Sequence, residues 1–320
     1  MSQARHRLAL SVDLEEWYHS GRWVDGAQSR VVPDTAGFVR SQYGSERPAG
    51  DIVAPTRTLL ALFARAGVRC TFFVLGEVAR FQPELVAEVA AAGHEIACHA
   101  MHHVDMTVLG PERFAEQLDA SAELLRSITG VRPVGFRAPN LVYAPWATRI
   151  LEAQGFLYDS SVCASRPLGG KYEGWAKAPS HPYRPSYEDV AELGGARLVE
   201  VPLPAFPVLK IAAGSSIVTR VFGLNWTLIA LRSAIGRGDT SYYMHPWEIG
   251  PRPPRPGSRL RNALFLRHTG PWMLAAVQRI VERYAGRIIT VREAAESCES
   301  PEWAYRLAPA GDGHAARRPA

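Results

Sequence analysis

Short apolar runs alternate with stretches of helical periodicity along most of this chain. The segments 7–12 (RLALSV), 69–75 (RCTFFVL), 94–98 (HEIAC), 134–136, 156–161, 197–203, 240–244 (TSYYM) and 287–291 (RIITV) are short and rich in β-branched or aromatic residues, the pattern of buried strands. Between them, 55–67, 82–93, 111–130 and 145–155 place apolar residues three and four apart, begin near a proline and end at a glycine. Strand then helix, repeated seven or eight times without an internal sequence repeat, predicts a parallel α/β fold. No glycine-rich phosphate loop follows the first strand, so a (β/α) barrel of eight strands or fewer accounts for the pattern better than an open sheet. The connections 18–54 and 162–196 are too long for plain turns and are expected to form walls or lids. No linker divides residues 1–306, which read as one domain, and 307–320 (LAPAGDGHAARRPA) read as a disordered tail.

Composition narrows the class. At 47% hydrophobic and 21% charged residues, the chain has the make-up of an ordinary soluble globular protein. The net charge of +5 is mildly basic, and the arginines are densest in 251–268. That segment reads as a solvated, proline-stiffened loop, with contact to an anionic polymer or a membrane surface as the alternative. No aromatics are interleaved with lysines, which argues against nucleic acid. Four cysteines without a C-x-x-C pair point to reduced, buried thiols in a cytoplasmic protein. The LALSV run is too short for a signal peptide, and the greasy region 205–235 is broken by Lys210, Arg220 and Arg232, unlike a membrane span.

In a (β/α) barrel the active site lies at the C-terminal ends of the strands. The residues that follow the predicted strands are Asp13, Glu15 and Glu16 after the first, Glu77 after the second, and HAMHH after the third. Arg137 and Asn140 follow the fourth, Asp159 is in the fifth, and His245 and Glu248 follow the seventh. His99 and His103 are four apart, so on a helical turn both imidazoles would share a face. Asp13 and Glu15 are two apart and share one side of an extended strand. Two histidines and a carboxylate leave positions open, as a catalytic zinc site requires. Histidines four apart in a solvated loop are commonplace; their coincidence with the other rim residues is what argues for a site.

These residues resemble a family. SVDLEE, HAMHH, FRAPN, YDSS and YYMHPWE are similar, in order and spacing, to the motifs of the metal-dependent polysaccharide deacetylases, the NodB-homology group of carbohydrate esterases. More narrowly, DLEEWYH, PYRP and YYMHPWEIGP resemble the subgroup associated with exopolysaccharide gene clusters and exosortase systems. The resemblance implies a distorted seven-stranded TIM-like barrel that removes N-acetyl groups from the N-acetylhexosamine units of a polysaccharide or its precursor. It implies a divalent ion, Zn²⁺ or another transition metal, on Glu15, His99 and His103. Asp13 would be the catalytic base, Arg137 the group that holds it, and His245 the catalytic acid. Leu14 stands where many members carry a second aspartate, so Glu15 takes that place, with Glu16 as the alternative. Asp159 falls near the fourth motif, without the tryptophan often found there.

The chemistry suggests further roles. The Asn140 N–H, following Pro139, could meet an oxyanion, and Asp159 could hold the His245 tautomer. Trp247 could stack on a sugar ring or pack, as could Trp17, Tyr18 and Trp175. His102 reads as a loop residue or an indirect donor and His94 as structural. His19 stays open, and strand alternation turns Cys98 away. The rival readings are a hydrolase of a small non-sugar amide, a non-catalytic carbohydrate binder, and an Fe(II) oxygenase.

Overall fold

The computed structural model describes residues 6–19, 39–41, 44, 47, 48, 50–167, 174–207, 209–253, 263 and 266–298. The predicted tail, most of the connection 18–54 and much of the arginine-dense segment lie outside them. Each predicted apolar run overlaps one strand: β1 Leu8–Leu14, β2 Thr71–Val74, β3 Glu95–Cys98, β4 Gly135–Phe136, β5 Tyr158–Asp159, β6 Val199–Glu200, β7 Thr240–Met244 and β8 Ile288–Ile289. All ladders are parallel, in the order β6-β5-β4-β3-β2-β1-β7, with β8 paired to the start of β1 at Leu8 and Ala9. The sheet curls into the expected distorted barrel. Among the described residues no ladder joins β6 to β7; the Ser241 hydroxyl donates to Pro202 O across that gap at 2.8 Å.

The helices follow their punctuation. Pro111 opens the helix Pro111–Thr129 and Gly130, at φ 78°, stops it; Gly67 at φ 63° likewise ends Val53–Ala66. Leu59, Leu62 and Phe63 of one, and Phe114, Leu118, Ala122 and Leu125 of the other, are buried in the layer outside the sheet, with Leu14, Val74, Cys98 and Phe136. Ala9, Phe73, Ala97, Tyr158 and Val199 face the barrel interior, which Val291, Ala294 and Ala295 of the helix Val291–Glu296 close from below. That helix is anchored at the N-terminal ends of strands: Val291 N–H donates to the Thr71 hydroxyl at 2.8 Å.

Register then sets the rim. Leu14, Val74, Cys98, Phe136, Asp159 and Glu200 pair in sequence around the sheet, and Val12 pairs with Met244. Paired residues in a parallel ladder point to the same face, and the next residue points to the other. One step beyond that outward row stand Glu15, His99, Arg137 and Ser160, at the C-terminal rim.

Candidate active site

A pocket of about 480 Å³ opens at this rim, lined by Asp13, Glu15, His99, His103, Asn140, His245 and Trp247 among others. Ser11 and Asp13 share the inner face of β1, and both receive the Arg137 guanidinium. Its Nη1 donates to Asp13 Oδ1 at 2.6 Å and to the Ser11 hydroxyl at 3.0 Å. Nε and Nη2 donate to Ser160 O and its hydroxyl, both at 2.8 Å. Arg137 is wholly buried, with Phe73 4.1 Å from its guanidinium carbon to ring centroid. A buried cation with this many partners is fixed in place, and it fixes Asp13 in turn.

Glu15, His99 and His103 converge, with their ligand atoms all within 4.8 Å of one another. Glu15 Oε2 lies 2.8 Å from His103 Nε2 and 3.5 Å from His99 Nε2. Ligands of a tetrahedral ion with bonds of about 2.0–2.1 Å sit about 3.3 Å apart, so the trio has the right spacing. The tautomers fit as well. His99 Nδ1 is 2.8 Å from Arg137 O, a carbonyl that can only accept, so Nδ1 donates there and Nε2 is the nitrogen turned to Glu15. A histidine that donates one ring N–H to a carbonyl and turns its other nitrogen towards a carboxylate has the usual arrangement of a metal ligand. Burial alone would raise the Glu15 pKa, but His103, then His99 and His245, outweigh it and hold the carboxyl well below its usual range.

Across the pocket, His245 Nε2 lies 3.5 Å from Glu15 Oε1. Its Nδ1 meets Glu248 Oε2 at 3.1 Å, and its backbone N–H donates to the same oxygen at 3.0 Å, in the turn Pro246–Glu248. The other Glu248 oxygen accepts from Arg220 Nε at 2.9 Å and lies 2.7 Å from Nη2. Burial would raise the Glu248 pKa, yet Arg220 and His245 hold it far below the carboxylate range. The Arg220–Glu248 pair thus turns the free Nε2 of His245 towards the pocket.

Most of the expected site residues therefore meet here, with corrections. Asp159 does not hold His245. It belongs to the outward-facing row of the sheet, where its carboxylate accepts from the Ser161 hydroxyl at 2.7 Å and the Ser161 N–H at 3.1 Å. Burial raises both its pKa and that of its neighbour Glu200, behind the barrel wall. Glu248 takes the role given to Asp159, and its i,i+3 spacing from His245 was the available signal. Arg220, read only as a break in a greasy region, had none. His99 and His103 do not share a helical turn: the segment between them is irregular, with Ala100 at φ 64°. Glu16 stays away from the histidines, its pKa pushed up to about 8 by burial and by Asp51. Asn140 lines the pocket at φ 56°, its amide donating to Asp105 at 2.7 Å. Trp247 is only 5% exposed and stacks on His245, so it braces that ring rather than offering an open platform.

His102, His19 and His94 lie outside the trio and make contacts of their own. His102 is half-exposed, with Nδ1 3.2 Å from Glu77 Oε2. The His19 Nδ1 accepts from the Glu16 N–H at 2.9 Å, and burial brings that ring down to about 4. His94 accepts from the Cys70 N–H at 3.2 Å and packs on Phe63 and Phe72. Cys98 turns to the outer layer, as alternation requires, and all four cysteines are free.

The profile of a family described as polysaccharide deacetylase matches residues 49–158. A peptidoglycan deacetylase-like protein of Gibberella zeae is 32% identical over 166 residues, 51% of this chain and 46% of that protein. A chitooligosaccharide deacetylase of Bradyrhizobium is 35% identical over 97 residues, 30% of this chain and 43% of the relative. The matched region is thus less than half the length of either relative. In three dimensions the chain aligns with a protein from Mycobacterium smegmatis, provisionally termed a polysaccharide deacetylase, at a TM-score of 0.62 and 20% identity. That alignment covers 100% of this chain and 97% of the other, and it shows a shared fold. Residues 49–158 therefore match the polysaccharide deacetylase family, within a barrel of the architecture seen in that solved protein.

Proposed function

We propose that this chain is a divalent-metal-dependent hydrolase that removes N-acetyl groups from N-acetylhexosamine units of a polysaccharide or its precursor, in exopolysaccharide biosynthesis. The observation that carries the reading is the convergence on one pocket of a carboxylate locked by Arg137, a histidine backed by Glu248, and the Glu15–His99–His103 trio. Amide hydrolysis needs an activated water, a polarised carbonyl and a proton for a poor amine leaving group. Glu15, His99 and His103 would hold a divalent cation, for which Zn²⁺ suits two imidazoles and one carboxylate, and it would supply Lewis acidity and lower the pKa of water towards neutral. Asp13, held by Arg137, accepts the proton of the attacking water. His245 delivers a proton from Nε2 to the departing amine, a contribution of about 10²–10⁴-fold. Arg220 and Glu248 keep that ring turned inward. The Asn140 backbone stands at the pocket wall, where its N–H can meet the developing oxyanion.

The test is acetate release from a panel of N-acetylated glycans, chitooligosaccharides among them, with and without a chelator. Turnover should require the metal, and Asp13→Asn should keep metal while losing activity. Full turnover by Asp13→Asn would remove Asp13 as the base. Hydrolysis of small amides with no glycan turned over would replace the polysaccharide reading.

A further inference from the structure

Residues 201–281 are nearly devoid of acids. Only Asp239 and Glu248 occur there, against Lys210 and nine arginines, whereas the whole chain balances 36 basic residues with 31 acidic ones. Both acids are buried in ion pairs, Asp239 with Arg7 and Glu248 with Arg220, each at 2.7 Å. Among the described residues of this stretch, Arg232, Arg237, Arg252 and Arg267 are exposed cations.

The same stretch shows apolar side chains to solvent. Leu209, Phe222, Ile229 and Trp272 are 52%, 44%, 59% and 36% exposed. They are physically continuous. Phe206 stacks on Trp226 at 4.9 Å between centroids, and Phe222 lies 5.7 Å from Trp226 on the other side. Ile229 is one helical turn beyond Trp226, and Leu209 lies in the turn closed by Phe206, whose carbonyl accepts from Lys210 N–H at 2.8 Å. Trp272 stacks on His268, whose Nδ1 donates to Arg220 O at 2.9 Å, two residues before Phe222. The short helix that carries Phe222 also carries Ile217, which lines the catalytic pocket with Leu141 and Tyr243. One helix thus carries both a pocket-lining residue and an exposed apolar one, and Arg232, Arg252 and Arg267 are exposed in the same stretch of chain.

A soluble polyanion would account for the cations but not for Leu209, Phe222 and Ile229 in water. A second copy of the chain would oppose one cationic face to another. Apolar and aromatic tips near exposed arginines suit an anionic lipid surface, where the tips enter the acyl boundary and the cations meet headgroups. We propose that this face docks the protein peripherally on an anionic bilayer. No helix of the described residues is long and apolar enough to cross a membrane, so docking would be from one side. The proposal does not depend on the deacetylase reading, because its test reads binding.

The full chain is sedimented with vesicles of phosphatidylcholine, alone or with about one-third phosphatidylglycerol. Partitioning should be at least about tenfold greater on the anionic vesicles and should fall as salt is raised. The triple variant Leu209→Glu, Phe222→Glu, Ile229→Glu should lose at least about tenfold of it. Val131→Glu with Leu193→Glu, at equally exposed apolar sites elsewhere, should change it little, and matching thermal melts would show that each variant folds. Equal binding to neutral and anionic vesicles, or undiminished binding by the triple variant, would overturn the proposal. So would dextran sulfate binding as tight as vesicle binding and indifferent to the triple variant, or a parent dimer that the variant abolishes.

Discussion

Replacing Glu248 by glutamine isolates the charge behind His245. The parent carboxylate meets the backbone N–H and Nδ1 of His245 at 3.0 and 3.1 Å and Arg220 Nε at 2.9 Å, and Arg220 Nη2 lies within ion-pair distance at 2.7 Å. Glutamine has one oxygen where the carboxylate has two. Whichever way its amide turns, an NH₂ group faces either the two His245 donors or the Arg220 guanidinium. Glu248 and Arg220 are both 0% exposed, so no solvent replaces what is lost. Breaking one side of a buried pair in this way costs about 3–5 kcal/mol, a large share of the roughly 5–15 kcal/mol that holds a domain folded. The variant should therefore fold but unfold at clearly lower urea. Losing the orientation of the proton donor should also lower turnover by about 10²-fold or more. Urea titration at neutral pH and acetate-release kinetics read the two effects separately. A variant within about 1 kcal/mol of the parent and equally active would refute the assigned role.

Two further outcomes follow from the scaffold. A Cβ on Gly76 would lie 2.7 Å from Met101 Sδ and 3.0 Å from Met101 Cα, inside the loop between the two histidine ligands. Gly76→Ala should shift that loop and weaken metal affinity at least about tenfold, read by competition with a chelating dye, while most of the fold survives. Burial and Arg69 hold the His94 pKa down to about 4, against 6.5 when unperturbed. Between those values only the unfolded chain binds the proton, so stability is lost as pH falls from about 6.5 to about 4, by at most about 3 kcal/mol. His94→Gln, which keeps an acceptor for Cys70 N–H, should flatten that slope in denaturant titrations; an unchanged slope would place the proton uptake elsewhere.

The strands were legible because each is a short apolar run bounded by helix punctuation, and the site because a parallel barrel gathers whatever follows its strands. Asp13, Glu15, His99, His103, Arg137, Asn140 and His245 needed no more than that. Parity was the hidden variable for Asp159. The sequence shows a strand-terminal acid, but only the ladder with Phe136 and Glu200 shows it facing outward, with Ser160 facing in. His99 and His103 were identified on a helical argument that the structure replaces with an irregular loop, since Ala100 adopts a left-handed conformation that periodicity does not reveal. Arg220 was out of reach because its partner Glu248 is 28 residues away and nothing local marks the pair.

The metal trio is the centre of the account, and counting divalent ions bound per chain tests it most directly. Zinc titration of the parent should saturate at one ion per chain, with affinity at least about 100-fold weaker in Glu15→Gln, His99→Ala and His103→Ala. Glu16→Gln, whose carboxyl stands apart from the histidines, should bind as the parent does. A parent that takes up no ion, or a His103→Ala variant that binds as tightly as the parent, would contradict it.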